Sequence, residues 1–340
     1  MADHELFELG DFALQHGDVL PGARLAYRTY GQLSGDKSNA IVFPTWFAGT
    51  HEANEWLIGE GKALDTERYF VIVPNLFGNG LSSSPSNTAP PHDRARFPHT
   101  TMYDNVRAQH RLVTERFGIG RLAMAVGTSM GAGQAYQWAV SHPDMVERLA
   151  PIAGSSHTSP HNQVFLEGIR AALTADASFN GGDYAEPPRT GLRAFARVYA
   201  GWGLSQAFYW QREYEQLGFA TLEDFLIGFW ESNFADWDAN DLLAMIWTWQ
   251  HADVGQTPGF GGDTRAALAS ITAKALLMPS KKDLYFPPED EEWSAGYIPD
   301  ADLRVIPGVW GHLAAGGGDP QAAAFIGAAL RQLLDHTPHE

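Results

Sequence analysis

The stretch Leu122-Ala-Met-Ala-Val-Gly127-Thr128-Ser129-Met130-Gly131-Ala132-Gly133-Gln134 decides how this chain is read. The apolar run at 122–126 has the length and composition of a strand buried on both faces. A helical pattern follows over 131–141. Between the two lies G-x-S-x-G, from Gly127 to Gly131. A serine hydroxyl is a weak nucleophile unless it is held exposed beside a base. A sharp strand-to-helix turn holds it that way but crowds the backbone, and glycine at 127 and 131 relieves the crowding. The helix start also directs backbone N–H groups and a partial positive charge toward the turn. A plain tight turn with a bystander serine would explain the glycines, but not the strand before them and the helix after.

Outward from this turn, short apolar runs alternate with helical patterns, as in a mostly parallel sheet flanked by helices. Strands are expected at 24–30, 40–45, 69–74, 122–126, 149–153, 275–279 and 303–307, and helices at 105–117, 131–141 and 320–334. Between Ser156 and Ser270 the strand signals vanish and helical patterns take over. Six of the eleven tryptophans fall there: Trp202, Trp210, Trp230, Trp237, Trp247 and Trp249. The expected organisation is therefore a core from 1–156 and 271–340, interrupted by a helical cap at 157–270. Most of these tryptophans are read as ordinary core, and a few as pocket wall or subunit contact.

The order serine, acid, histidine is that of the α/β-hydrolase fold, which this arrangement resembles. The run at 275–279 leads into Ser280-Lys281-Lys282-Asp283, and the run at 303–307 into Gly308-Val309-Trp310-Gly311-His312. Ser129 is thus the expected nucleophile, His312 the base and Asp283 the acid that orients it. An oxyanion hole needs two backbone N–H groups. One is expected from Met130. The other is expected from the loop Thr45-Trp46-Phe47-Ala48-Gly49, at Phe47 first and Trp46 second. Trp46 and Phe47 also suit a pocket wall.

The formal net charge of −17 disfavours nucleic acid and anionic membrane surfaces as partners. With no cysteine, thiolate chemistry, disulfides and cysteine-bound metals are excluded, and a cytoplasmic enzyme is expected. The first residues lack a basic segment followed by an apolar run, and no apolar stretch has the length of a membrane span. His51, His99, His110, His157 and His161 fit no ligand spacing, and H-E-x-x-H is absent, so no metal is expected. The acidic run from Glu289 to Glu292 reads as a solvated helix start.

Several further stretches resemble the homoserine O-acetyltransferases and their esterase relatives. They are Leu25-Ala26-Tyr27-Arg28-Thr29-Tyr30-Gly31, Asn75-Leu76-Phe77-Gly78-Asn79-Gly80 with Ser82-Ser83-Ser84-Pro85, and Phe97-Pro98 with Asp104-Asn105-Val106-Arg107-Ala108-Gln109. Ser129-Met130-Gly131-Ala132-Gly133-Gln134 with Trp138, and Asp283-Leu284-Tyr285-Phe286-Pro287-Pro288, complete the set. The resemblance implies the triad Ser129, Asp283 and His312, acyl transfer through an acetyl-serine, and a cap that forms a homodimer contact. Departures from the family pattern redirect the expected reaction. The transferases carry an aspartate directly after the histidine, where this chain has Leu313. They also carry a cap arginine for the substrate carboxylate, which is missing near 197–204 although Arg197 itself is present, and a histidine where this chain has Thr45. An amino-acid acceptor left without charge partners in a desolvated pocket would cost several kcal/mol.

Leu313, Trp46 and Phe47 instead suit a small uncharged alcohol group. The expected activity is a carboxylesterase, free of cofactors, acting on acetate or other short-chain esters of small uncharged alcohols. The alternatives are homoserine O-acetyltransfer from acetyl-CoA and a non-catalytic binding protein on the same fold.

Overall fold

Eight strands form one sheet: β1 (Glu5–Ala13), β2 (Val19–Tyr30), β3 (Ala40–Val42), β4 (Phe70–Pro74), β5 (Met124–Thr128), β6 (Arg148–Ile152), β7 (Lys274–Leu277) and β8 (Ala301–Leu303). The computed structural model describes residues 3–335. The strand order is β1-β2-β4-β3-β5-β6-β7-β8. The β1/β2 and β2/β4 pairs are antiparallel, and all later pairs are parallel. Strands β4, β5 and β6 are buried along their whole length, as their apolar runs require.

Helices α1 (Met102–Arg111) and α2 (Met130–Ser141) precede the helical stretch between β6 and β7. Between β6 and β7 come α3 (Pro160–Thr174), α4 (Arg189–Gly203), α5 (Gln206–Trp210), α6 (Leu222–Phe225), α7 (Ser232–Phe234), α8 (Ala239–Gln250) and α9 (Thr264–Ala269). The chain then adds α10 (Pro288–Ala295) and α11 (Pro320–Asp335). Side-chain caps fix several starts. Thr101 and Asp104 form a capping box on α1, and Ser159 accepts from Asn162 N at α3, where Pro160 takes the first helical position. Asp238 does the same for α8 through Asn240 N and Asp241 N.

Three apolar clusters organise the packing. One covers the sheet face under α1 and α2, with Val106, Ala135, Trp138 and Leu149. A second covers the opposite face under α11, with Ile41, Ile326 and Leu330. The third lies over the strand ends and joins core residues Phe47, Met130 and Tyr285 to cap residues Phe165, Tyr199 and Trp230. Helix α9 belongs to the first cluster through Ala267 and Leu268, so the helical stretch between β6 and β7 returns to the sheet before β7 begins.

The structure departs from the sequence reading at several points, among them β3, which ends at Val42 where the strand was expected to reach residue 45. Strand β1 was not expected. Its pairing with β2 shifts register on both sides of Gly10, which breaks the alternation a strand reading depends on. Strand β5 runs two residues later than expected, so Thr128 still pairs with Ile152 one step before the serine. Strand β8 starts at Ala301 instead of residue 303, and the expected stretch continues it irregularly through Arg304 N to Leu277 O at 2.9 Å and Ile306 N to Pro279 O at 2.8 Å. The acidic run does start a helix, but Glu291 is fully buried against the Tyr136 hydroxyl rather than solvated.

Candidate active site

Ser129 sits between β5 and α2 with φ 57° and ψ −125°, a backbone conformation that costs a non-glycine residue about 1–3 kcal/mol. The surroundings impose it. Ser129 N donates to Ile152 O at 2.9 Å, and Ala132 N donates to Ser129 O at 2.9 Å. A Cβ on Gly127 would lie 1.9 Å from Gly131 O, and one on Gly131 would lie 2.7 Å from Pro44 O. Both glycines are therefore obligatory for closing the turn, and the second lets α2 meet the loop after β3.

Asp283 and His312 arrive from β7 and β8. Asp283 Oδ1 accepts from Tyr285 N at 3.1 Å and Phe286 N at 3.0 Å, so the carboxylate is aimed by its own turn. Its Oδ2 accepts from His312 Nδ1 at 2.7 Å. With Nδ1 protonated, Nε2 is left as the acceptor, and it faces Ser129 Oγ at 2.8 Å. The histidine turn is held from both sides. Ser280 Oγ donates to Gly311 O at 2.6 Å, and Ser205 of the cap donates through its hydroxyl to Val309 O. The Tyr285 ring lies 4.3 Å from the imidazole, and all three side chains are buried.

The loop after β3 meets this group because β3 and β5 are neighbours, the switch point where open α/β sheets place ligands. Thr45 Oγ1 accepts from Leu76 N at 3.1 Å, and Thr45 O accepts from Gln134 Nε2 at 2.8 Å. Ala48 adopts φ 54°, which bends the segment carrying Trp46 and Phe47. Met130 opens α2, where first-turn N–H groups have no intrahelical acceptor. Its side chain is buried in the aromatic cluster and does not line the cavity.

A cavity of about 360 Å³ lies over Ser129. Trp46, Phe47 and Leu313 line it with His312, so the structure brings these sequence-selected residues together. Tyr199, Phe229, Trp230, Asn233, Phe234 and Tyr285 complete much of the wall, and among the described residues no Lys, Arg, Asp or Glu lines it. Burial raises the Tyr199 and Tyr285 phenols, so both stay neutral. Of the cap residues, sequence reading had marked only Trp230, as one of six tryptophans. Phe229, Trp230, Asn233 and Phe234 recur at helical spacing, but that stripe does not say which cavity it faces. Arg197 stands outside: its guanidinium is held by Glu231 at 2.6 Å and Glu223 at 2.5 Å.

The five histidines considered as metal ligands are scattered. His99 stacks on Trp247 and His110 on His142, while His157 meets Trp293 and His161 meets Trp202. His51 does lie in a group with Asp3 and His4 whose donor atoms fall within 4.8 Å of one another. Its ring is already committed. Asn75 Nδ2 donates to His51 Nδ1 at 3.3 Å, which leaves the proton on Nε2, and Nε2 is 3.2 Å from Asp3 Oδ2. A metal on Nε2 would need the opposite tautomer, with two N–H donors facing each other.

A mostly parallel sheet that sets serine, imidazole and carboxylate in hydrogen-bonded series at its strand ends defines a class, the α/β-hydrolases. This chain belongs to that family: the model of the alpha/beta hydrolase fold matches residues 39–316. The ethyl acetate hydrolase of Pseudomonas veronii is 41% identical over 97% of this chain and 95% of that protein. A solved structure of the acetyl esterase MekB superposes with a TM-score of 0.96 at 40% identity, covering 98% of this chain and 97% of that one. A homoserine O-acetyltransferase of Trichormus variabilis is 33% identical over 88% of this chain and 86% of its own length.

Proposed function

We propose that this protein is a serine carboxylesterase acting on acetate and other short-chain esters of small uncharged alcohols. The observation that carries this reading is the series Asp283–His312–Ser129, linked at 2.7 and 2.8 Å, opening into a cavity whose wall, among the described residues, has no Lys, Arg, Asp or Glu. Its likeness to an ethyl acetate hydrolase and an acetyl esterase supports the same substrate class.

Ser129 Oγ attacks the ester carbonyl carbon while His312 Nε2 takes its proton. The negative oxygen of the tetrahedral intermediate is received by Met130 N–H and by Phe47 N–H, with Trp46 N–H the second choice. Collapse breaks the carbon–alkoxy bond, and the imidazolium returns the proton to the departing alcohol. Water then attacks the acyl-serine while His312 takes its proton; collapse breaks the carbon–Oγ bond, the imidazolium returns the proton to Ser129 Oγ, and the acid is released. Asp283 holds the tautomer and stabilises the imidazolium. Leu313, Trp46 and Phe47 bound the substrate. Homoserine carries a carboxylate and an ammonium, and neither would meet an opposite charge in this wall.

The test offers wild-type protein ethyl acetate and p-nitrophenyl acetate, and separately acetyl-CoA with homoserine. Ester hydrolysis without homoserine-dependent CoA release is the expected result. The reverse pattern would overturn the reading.

We further propose a homodimer contact through the cap, and exposed apolar side chains there support it. Trp210 is 88% exposed, and Leu217, Leu222 and Ile227 are exposed in the same region. Light scattering should give twice the chain mass, falling toward one chain mass in Trp210→Asp. A wild-type monomer at all concentrations would sink the dimer. Among the described residues no helix is long and apolar enough to cross a membrane. The absence of cysteine fits a cytoplasmic location, checked by fractionating cells.

A further inference from the structure

The turn Asn75-Leu76-Phe77-Gly78-Asn79-Gly80 supplies no member of the triad and lines no part of the cavity. It nevertheless holds two fully or nearly fully buried amides, Asn75 at 0% and Asn79 at 3% exposure. Buried amides are costly unless their hydrogen bonds are met, so where the bonds go is informative. Asn75 Oδ1 accepts from His51 N at 3.1 Å and from Asn79 Nδ2 at 3.0 Å. Asn75 Nδ2 reaches His51 Nδ1. Asn79 Nδ2 donates to Gly49 O at 3.1 Å. Asn75 Nδ2 also donates to Ala26 O of β2 at 3.3 Å, and the other contacts named here outside the pair end on residues 49–51, the far end of the loop that carries Trp46 and Phe47. Thr45 fixes the near end through Leu76 N of the same turn.

The two arms of Asn79 do separate jobs. Its Oδ1 accepts from Leu81 N at 3.1 Å and Ser82 N at 3.3 Å, which shapes its own turn. Its Nδ2 reaches the loop and Asn75. Between the two anchors Ala48 is held at φ 54°, a conformation that persists only where the surroundings fix it.

We propose that Asn75 and Asn79 are positioning residues for the esterase reaction: their amides clamp the end of the 45–51 loop, so that its N–H groups are set for the oxyanion before substrate binds. This rests on the oxyanion role proposed above. A preset donor stabilises the transition state without reorganising, so loosening the clamp should lower kcat and spare KM.

Asn79→Asp tests this selectively. One carboxylate oxygen still accepts from Leu81 and Ser82, while the other confronts Gly49 O and Asn75 Oδ1 with no proton between them. The expected result with p-nitrophenyl acetate is a kcat lower by about 10- to 100-fold with KM within about threefold. Affinity for a trifluoromethyl ketone, which forms a tetrahedral adduct on the serine, should fall by the same factor. The deficit relative to wild type at each pH should shrink toward acid, as the introduced carboxyl takes a proton and regains a donor to Gly49 O. Ser82→Ala is the structural control. It removes the hydroxyl that bonds Asn75 O at 2.7 Å and Ala26 N at 2.9 Å, and should lower Tm while keeping kcat. Should Asn79→Asp not fold, Asn79→Ser is read in its place for kcat and ketone affinity. Wild-type kcat and ketone affinity with a lowered Tm, matching Ser82→Ala, would overturn the inference alone. A wild-type protein inert toward every ester would sink the esterase reading and this inference with it.

Discussion

The two sides of the cavity are held together by different forces. On the strand-end side each functional group is fixed by hydrogen bonds: Asp283 by two backbone N–H groups, His312 by Asp283, and the 45–51 loop by Gln134, Asn75 and Asn79. On the cap side the wall is fixed by rings. Phe47 and Tyr199 stack at 5.9 Å and 9°, Tyr199 and Trp230 lie 5.7 Å apart, and Phe195 and Phe234 meet edge-on at 4.9 Å. Hydrogen bonds weaken steeply when bent or stretched, whereas ring contacts contribute about 0.5–1.5 kcal/mol over a range of offsets. The strand-end side should therefore fail abruptly when altered, and the cap side should trade size for selectivity.

The largest effect is expected at Ser129→Ala, which should cut ester turnover by about a millionfold while circular dichroism and Tm stay near wild type. Measurable turnover well above background would remove Ser129 from the mechanism and with it the contrast between the two sides. Asp283→Asn comes next. It keeps the shape but favours the wrong imidazole tautomer, and kcat should fall by about ten-thousandfold. A loss below about tenfold would mean that His312 is oriented by packing instead.

On the cap side, Trp230→Ala should enlarge the cavity and raise the preference for longer acyl or alcohol groups by about 10- to 200-fold per methylene accommodated. Its kcat on acetate should change far less than in the triad variants. Competition assays with acetate, butyrate and hexanoate esters would measure this. Collapse of activity on every ester would show that the roof, too, is part of the catalytic geometry.

The last prediction concerns stability and not turnover, at Glu291, buried against Tyr136. Burial pushes its carboxyl from 4.5 up to about 8. The folded chain thus keeps a proton that the unfolded chain releases. Stability contributed by this group is greatest below about pH 4.5, falls as pH rises and levels off above about 8. The slope is at most about 1.4 kcal/mol per pH unit. Glu291→Gln should flatten urea-denaturation midpoints across that window, and curves that fall in parallel for both proteins would contradict it.

The same division explains what could be read from the sequence. Chemistry on the strand-end side depends on residues at fixed distances from strand ends, so Ser129, Asp283 and His312 stood out by position and Trp46 and Phe47 by the loop after β3, whereas Leu313 was marked only through the family resemblance. The cap wall depends on which way a helix is rotated, and a stripe such as Phe229, Trp230, Asn233 and Phe234 fits a core as well as a pocket. Strand β1 was missed because irregular pairing at Gly10 hides its period. Glu291 was misread because an acidic run looks solvated, and only tertiary packing puts one of its members against Tyr136.

Arg197 has a consequence for how this scaffold could change its reaction. The resemblance to the homoserine O-acetyltransferases implies a cap arginine and an aspartate after the histidine for the two charges of the amino acid. Here Leu313→Asp would restore one of them with a single substitution. The other is not one step away, because the guanidinium of Arg197 is held by Glu223 and Glu231 outside the cavity. A lineage moving toward amino-acid acceptors would have to supply a new cation before the aspartate was of use, and the aspartate alone would place an unpaired charge beside the base. Leu313→Asp alone should therefore give no homoserine-dependent CoA release, because the substrate carboxylate still lacks a cation in the cavity wall.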